Sequence, residues 1–160
     1  MMGVGKSTIG RLLSKKLGLP FEDLDEKIVK KESLSIKEIF DLKGEKYFRK
    51  IEEIESLKII ADKDKIVALG GGTFINAKIR EETKKCCFTV WLDLEPEQIF
   101  NRVKRNKERP LLINANSVND IEKIYLDRKK IYALADCKVD CSSKNLEQIV
   151  GEVVKIYENI

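Results

Sequence analysis

The chain has no histidine and only 3 prolines, and arginine supplies just 7 of its 31 basic residues. Without histidine the sequence excludes imidazole bases, Ser–His and Cys–His nucleophile pairs, and metal sites with a histidine ligand. Acid–base chemistry must therefore come from Asp, Glu, Lys, Tyr or Cys. Because arginine is scarce, each one is a candidate for a specific contact rather than for general solubility.

The sequence also lacks any run of about 20 apolar residues that could cross a membrane. We therefore expect a cytoplasmic protein that makes no membrane contact, and reduced thiols at Cys86, Cys87, Cys137 and Cys141. The cysteines lack the paired spacing that is typical of a zinc site. A net charge of +4, with no basic stripe interleaved with aromatics, does not indicate nucleic-acid binding.

What is present is an alternation of short β-rich runs and segments of helical period, which predicts one α/β domain over the 160 residues. The predicted strands lie at 20–23, 65–69, 87–92 and 137–141, and the first helix at 9–17. One later helix has an apolar stripe of Tyr47, Ile51, Ile54, Leu57 and Ala61, and another has a stripe over 121–132, starting near Ser117 and Glu122. Strands separated by helices favour a parallel sheet covered on both faces.

The clearest motif stands at the start of the first helix and reads Gly3-Val4-Gly5-Lys6-Ser7-Thr8. It matches the end of G-x-x-x-x-G-K-[ST], a loop whose glycines let backbone N–H groups surround phosphate oxygens. Lys6 can reach the β- and γ-phosphates, and Ser7 can ligate Mg²⁺. The alternative is a glycine-rich turn that only caps a helix.

The motif's first glycine would fall one position before Met1, and the strand that should precede it is not in the sequence. In a P-loop fold this strand is central and pairs on both sides, so two sheet edges should be left without a partner. We expect a five-stranded parallel sheet whose first strand lies upstream of a late start. The alternative is a functional variant without that strand.

Other polar groups follow the predicted strands. Asp23 and Asp25 would lie at the carboxyl edge of the sheet, where one can support Mg²⁺ and the other can accept a hydroxyl proton. Such a pair also occurs as a helix cap. Residues 70–72 offer bare amides to an anion or form a tight turn, and Arg49 is either a ligand contact or a solvated side chain. A cationic segment at about 104–116 is typical of a mobile lid.

In this order the motifs resemble the shikimate kinases over essentially the whole chain. The matching segments are Gly-x-Gly-Lys-Ser-Thr-x-Gly-Arg at 3–11, Asp-x-Asp at 23–25, Tyr-Phe-Arg-Lys-Ile-Glu at 47–52, Ala-Leu-Gly-Gly-Gly at 68–72, Arg-Pro-Leu-Leu at 109–112, and Arg128-x3-Tyr132-x2-Ala135-Asp136. Each is weak to moderate alone, but all six in sequence are very specific. The departure is the first glycine and its strand.

The resemblance implies a three-layer α/β P-loop kinase fold, with a parallel sheet flanked by helices and a mobile lid. It implies a single kinase domain over 1–160, with a lid at about 104–116 and a substrate-binding helical part at about 25–61. The implied reaction moves the γ-phosphoryl of ATP to the 3-hydroxyl of shikimate, in the pathway to aromatic amino acids. Mg²⁺ would be the cofactor, shikimate and ATP the small-molecule partners, and the protein a monomer.

The resemblance also implies roles by position. Asp25 would bond the substrate hydroxyls and take the attacking proton, while Arg49 and Arg128 would clamp the substrate carboxylate. The remaining implied contacts are Gly70, Gly71 and Gly72 with the substrate, Gly3, Val4, Gly5, Lys6, Ser7, Thr8, Arg102 and Arg109 with ATP, Lys6 and Arg109 with the transferring phosphoryl, and Ser7 and Asp23 with the metal.

Two alternatives stay open. The first is another small-molecule P-loop kinase, acting on gluconate or a nucleoside monophosphate. A monophosphate needs several arginines and a neutral sugar none, so the Arg49 and Arg128 pair fits a monocarboxylate better. The second alternative is a nucleotide-binding module without turnover.

Overall fold

The elements of the protein are described by a computed structural model for residues 3–104 and 117–159. The helices are α1 Lys6–Leu17, α2 Leu24–Glu32, α3 Ile36–Ala61, α4 Ala77–Cys86, α5 Pro96–Lys104, α6 Val118–Tyr132 and α7 Leu146–Tyr157. The strands are β1 Phe21–Asp23, β2 Ile66–Ala68, β3 Val90–Asp93 and β4 Cys137–Asp140, and a 3-10 turn spans Thr73–Ile75. The predicted α/β alternation and all four predicted strands are confirmed.

The strands form two parallel pairs, β1 with β2 and β3 with β4. Phe21 is opposite Ile66 in the first pair, and Val90 is opposite Cys137 in the second. Among the described residues β2 and β3 each pair on one side only, as expected for the two edges. A cavity of about 560 Å³ lies between β2 and β3.

The described residues form three groups of buried apolar side chains, one of which, Ile59, Ile60 and Ile79, joins α3 to α4. The other two groups involve the remaining helices and another part of α3. The larger joins α1, α5, α6 and α7 to β3 and β4 and includes Val4, Ile9, Trp91, Ile99, Ile121, Val139 and Val150. The smaller joins α2 to α3 and consists of Leu24, Ile28, Ile39, Phe48 and Ile51. The predicted helical part at 25–61 thus has an apolar cluster of its own, while its role in binding substrate stays a prediction. None of the described helices is long and apolar enough to cross a bilayer.

The apolar stripe predicted for α3 is wrong in part. Ile51 is buried, but Tyr47 and Ile54 are 37% and 39% exposed, and the buried face instead carries Glu52 and Glu55. Apolar periodicity cannot find such a face, because a carboxylate is tolerated in the interior when partners bind it. Here those partners are basic and hydroxyl side chains: Arg49 and Thr73 for Glu52, and Lys31 and Lys58 for Glu55.

The start of α6 is confirmed at Ser117, and Glu122 lies in the helix close to that start. Ser117 forms a capping box with Asp120, whose carboxylate accepts from the Ser117 N–H. The reason is geometric, because a side chain three residues beyond the cap can reach back to the cap N–H.

Close packing of α1 on β1 places the end of that strand beside the phosphate loop. A Cβ added to Gly10 would lie only 2.3 Å from the Phe21 ring, so the helix can sit on the strand only with glycine there. The Ser7 hydroxyl consequently donates a hydrogen bond to the Asp23 carboxylate, which ends β1.

Candidate active site

The loop before α1 has the backbone of an anion site. Gly3 and Gly5 have φ values of +77° and +96°, a region that glycine adopts without strain. Gly5 is the N-cap, no side chain caps the helix, and the Ile9 N–H donates to the Gly5 carbonyl at 2.9 Å. The first N–H groups of α1 therefore face outward with the positive end of the helix dipole, which favours a phosphate.

A cavity of about 300 Å³ surrounds this loop and gathers most of the residues predicted to bind ATP and metal. Its lining consists of Gly3, Gly5, Lys6, Ser7, Thr8, Asp23, Asp25, Leu69, Arg102 and Val103. Val4 is not part of this lining, because its side chain is 1% exposed and belongs to the main core. Only its backbone can serve the site, and its carbonyl accepts a hydrogen bond from Arg102 Nη1 at 3.2 Å.

Asp23 caps a helix with one carboxylate oxygen and has the other on the side of this cavity. Its Oδ1 accepts from the N–H groups of Asp25 at 2.9 Å and Glu26 at 3.3 Å, so it caps α2. Its Oδ2 accepts from the Ser7 hydroxyl on the cavity side. A hydroxyl and a carboxylate are hard oxygen donors, which Mg²⁺ prefers, and this ion usually completes its shell with water and substrate phosphates. The described residues hold no cluster of three or more Asp, Glu, His or Cys that could bind a metal by themselves.

Asp25 lies between the cavity of about 300 Å³, here called the phosphate-side cavity, and the turn of Gly70, Gly71 and Gly72 after β2, here called the glycine turn. It lines that cavity, and a Cβ added to Gly70 would lie 3.0 Å from Asp25 Oδ1 and 2.9 Å from Glu52 Oε1. Only glycine lets the turn approach these two carboxylates so closely. The turn itself is closed by a 3.1 Å hydrogen bond from the Thr73 N–H to the Gly70 carbonyl.

Arg49 is held in place rather than solvated. Its Nη1 donates to Glu52 Oε2 at 2.7 Å, and its Nε and Nη2 both donate to Glu45 Oε1 at 3.2 Å. Burial acts to lower the pKa of Arg49, but the hydrogen bonds to Glu52 and Glu45 outweigh it and the pKa lies above its usual value. A Cβ added to Gly72 would lie 2.6 Å from Arg49 Nη1, so this charged group rests directly against the turn.

Arg128 reaches the same turn from α6. Its Nη1 donates to the Gly71 carbonyl at 3.3 Å, and the Tyr132 hydroxyl donates to that carbonyl as well. The structure thus brings two arginines from distant parts of the chain onto neighbouring glycines, with Asp25 at the other end of the turn. This arrangement can receive a small carboxylate between two guanidinium groups, beside a carboxylate that faces the phosphate loop.

The sequence interpretation gave no role to two residues of this arrangement, Glu52 and Tyr132, although both lie in the family motifs. Glu52 is 4% exposed and joins Arg49 to the Thr73 hydroxyl, to which it is bound at 2.8 Å. A usable signal existed, because Glu52 stands three residues after Arg49 and such pairs share one helix face. Arg105, Arg109 and the rest of 105–116, which make up most of the predicted lid, lie outside the described residues.

Comparison with known proteins agrees with the geometry of the phosphate loop and the glycine turn. The family model described as Shikimate kinase matches residues 2–158. The shikimate kinase of Aquifex aeolicus (strain VF5) is 42% identical over 155 residues, covering 96% of this chain and 90% of that protein. The shikimate kinase of Persephonella marina is 40% identical over 153 residues, covering 96% of this chain and 92% of that protein.

A solved structure extends this likeness to the fold. The structure of shikimate kinase from Acinetobacter baumannii in complex with shikimate superposes with a TM-score of 0.93 at 29% identity. The match covers 99% of this chain and 89% of that one. The family model, the relatives and the solved structure all match this chain over nearly its whole length, and the chain belongs to the shikimate kinase family.

Proposed function

We propose that this chain transfers the γ-phosphoryl group of ATP to the 3-hydroxyl of shikimate, giving shikimate 3-phosphate and ADP. The observation that carries the proposal is the convergence at the glycine turn. Arg49 and Arg128 contact its neighbouring residues, and Asp25 connects the turn to the phosphate-side cavity. The Asp25 side chain therefore lies between a site that can bind a substrate carboxylate and a site that can bind phosphates.

On the phosphate side, the N–H groups at the start of α1 would bind the phosphates of ATP, and Lys6 would offset charge on the group being transferred. Arg102 lines the same cavity and would lie against the adenine. Ser7 and Asp23 would hold Mg²⁺, directly and through water, and the bound ion supplies neutralisation of phosphate charge.

On the acceptor side, Arg49 and Arg128 would clamp the carboxylate of shikimate. A guanidinium presents its N–H groups as a planar fork that matches both oxygens of a carboxylate, which the point charge of a lysine does not. The pairing of Arg49 with Glu52 and Glu45 fixes the fork before substrate arrives, so little side-chain entropy is lost on binding.

Between the two sides, Asp25 would hydrogen-bond the substrate hydroxyls and accept the proton of the attacking one. In phosphoryl transfer the protein contributes mainly position and charge stabilisation, and a positioned carboxylate is enough to orient the nucleophile. The mechanism therefore needs no imidazole, in agreement with a sequence without histidine.

The experiment that tests the proposal offers the full chain Mg-ATP together with shikimate, gluconate or CMP, and follows ADP release in a coupled assay. We expect ADP release above background only in the mixture of Mg-ATP with shikimate, and not in those with gluconate or CMP. Phosphorylation of gluconate or CMP but not shikimate would instead favour another small-molecule kinase. Binding of ATP without turnover of any acceptor would favour a nucleotide-binding module.

A further inference from the structure

The carbonyl of Gly71 is a point where two hydrogen-bond donors from α6 meet. The Tyr132 hydroxyl and Arg128 Nη1 both donate to it, the latter at 3.3 Å. Gly71 is buried, so this carbonyl has little access to water as an alternative partner. A carbonyl oxygen has two lone pairs and can accept both bonds at once.

The two donors differ in how firmly they are held. Tyr132 is 5% exposed and belongs to the main core, with its ring centroid 6.1 Å from that of Trp91. Arg128, one turn earlier on α6, is only partly buried. Burial raises the pKa of Tyr132, although the charge of Arg128 and a hydrogen bond with it act in the opposite direction, so at neutral pH the hydroxyl keeps its proton and remains a donor.

We propose that Tyr132 is a positioning residue whose hydroxyl keeps the Gly71 carbonyl bonded and so leaves Arg128 free to turn to the substrate carboxylate. The inference rests on the proposed function. The physical reason is the cost of an unpaired polar group in the interior. If Arg128 were the only donor, turning its guanidinium toward the substrate would weaken its bond to a buried carbonyl, and the two acceptors would compete for the direction of the same N–H groups.

The hydrogen bond from Tyr132 to the Gly71 carbonyl also determines the direction of a second polar group in the turn, the N–H of Gly72. The C=O of Gly71 and the N–H of Gly72 belong to one peptide plane and point in opposite directions in a trans peptide. All peptide bonds in the described residues are trans. Holding the carbonyl on the α6 side therefore fixes the N–H of Gly72, the residue that lies against Arg49.

The first test is Tyr132→Phe, which removes the hydroxyl and keeps the ring. We expect the KM and the calorimetric Kd for shikimate to rise about tenfold, the value of one lost hydrogen bond. We expect kcat and the KM for ATP to stay within about twofold, because neither the phosphate loop nor Asp25 is touched. Partial unfolding would lower kcat and leave KM unchanged, so the two effects are distinguishable.

Tyr125→Phe is the matched control on the same helix. Its hydroxyl donates to the Asp93 carboxylate at 3.0 Å and has no contact with Gly71, so this variant also loses a buried hydroxyl hydrogen bond. Both variants should unfold at a lower temperature, but only Tyr132→Phe should bind shikimate more weakly. An equal rise in KM for both would overturn the inference, because the effect would then be a general loss of stability.

A double variant tests whether Tyr132 acts through Arg128. In an Arg128→Ala background there is no guanidinium left to release, so Tyr132→Phe should change kcat/KM for shikimate by less than about twofold. A full additive loss in that background would overturn the inference, as would unchanged shikimate affinity in the single variant. A parent chain that binds no shikimate would overturn the proposed function itself and this inference with it.

Discussion

Residues of α1 line two cavities that differ in size and in chemistry. The cavity at the helix N-terminus is about 300 Å³ and is surrounded by glycine backbone, by Lys6 and by the carboxylates of Asp23 and Asp25. The cavity between β2 and β3 is about 560 Å³, and its walls along the strands are apolar, with side chains such as Val67 and Leu92. The smaller cavity is lined by residues of the family motifs at 3–11 and 23–25.

The polar groups of the larger cavity show why size does not identify the site. Burial and the neighbouring Cys86 raise the pKa of Cys87 to about 11, so this thiol is neutral at physiological pH. The indole N–H of Trp91 is buried and has no hydrogen-bond partner in the part of the chain the structure describes. A catalytic site needs converging, charged or activated groups, and these lie at the N-terminus of α1. Substitutions at the small cavity should therefore change activity and spare stability, and those at the apolar walls of the large cavity, away from the glycine turn, should do the reverse.

Asp25→Asn should have the largest effect on activity. The amide keeps the shape of the side chain but cannot accept a proton, and a general base contributes about 10²- to 10⁴-fold. We expect kcat to fall by that factor, while ATP affinity and the unfolding temperature stay close to those of the parent. Asp41→Asn, at an exposed position of α3, is the matched control. Full turnover by the Asp25 variant would mean that this carboxylate does not take the proton.

Arg49→Lys should have the next largest effect. Lysine keeps the charge but loses the planar fork, and a charge-assisted hydrogen bond of about 1.5–3 kcal/mol corresponds to roughly one to two decades in kcat/KM for shikimate. Steady-state kinetics at saturating ATP measure this loss. Arg11→Lys is the control, because Arg11 pairs with Glu26 at the surface, where ion pairs contribute little. Equal kinetics of Arg49→Lys and the parent would remove Arg49 from the carboxylate clamp.

Ile59→Ala tests the other side of the comparison. Ile59 is fully buried and lines the larger cavity, so its truncation should lower the free energy of unfolding by about 2–5 kcal/mol. We expect kcat/KM of the folded enzyme to change less than about twofold at a temperature below the transition. Leu42→Ala, at a side chain 70% exposed, should change neither quantity. A large kinetic defect in a stably folded Ile59 variant would contradict the division between the two cavities.

Thiol chemistry gives the smallest expected effect. Because burial raises the pKa of both Cys87 and Cys141 to about 11, roughly one thiol in a thousand is ionised at pH 8, and the thiolate is the reactive form. Iodoacetamide at pH 8 should modify both far more slowly than an unperturbed thiol, as followed by peptide mass mapping, with activity retained, and the labelling rate should rise steeply with pH. Rapid labelling of Cys141 at pH 8 would show that the region opens to solvent.

The sequence predicted what depends on local pattern. The four strands follow from short β-rich runs, and the phosphate loop follows from glycines at Gly3 and Gly5 before a lysine, where the backbone must adopt positive φ. Both are properties of neighbouring residues, which a single sequence displays directly.

The features that pattern could not predict depend on partners far away in the chain. The spacing of three residues indicates that Glu52 can pair with Arg49, but not that Thr73, 21 positions later, donates to it. Likewise, the sequence places Tyr132 in an apolar stripe and in a family motif, but it does not indicate that the Gly71 carbonyl, 61 positions away, accepts a hydrogen bond from its hydroxyl. The sequence displays the type of these side chains but not what they contact.

The most direct test of the account is the position of the new phosphate ester. The full chain is incubated with Mg-ATP and shikimate, and phosphorus–proton correlation NMR identifies the carbon that carries the phosphate. If Arg49 and Arg128 hold the carboxylate while Asp25 faces the phosphate loop, a single monoester should form, at the 3-hydroxyl. A phosphate on another hydroxyl, or release of inorganic phosphate alone, would contradict this arrangement.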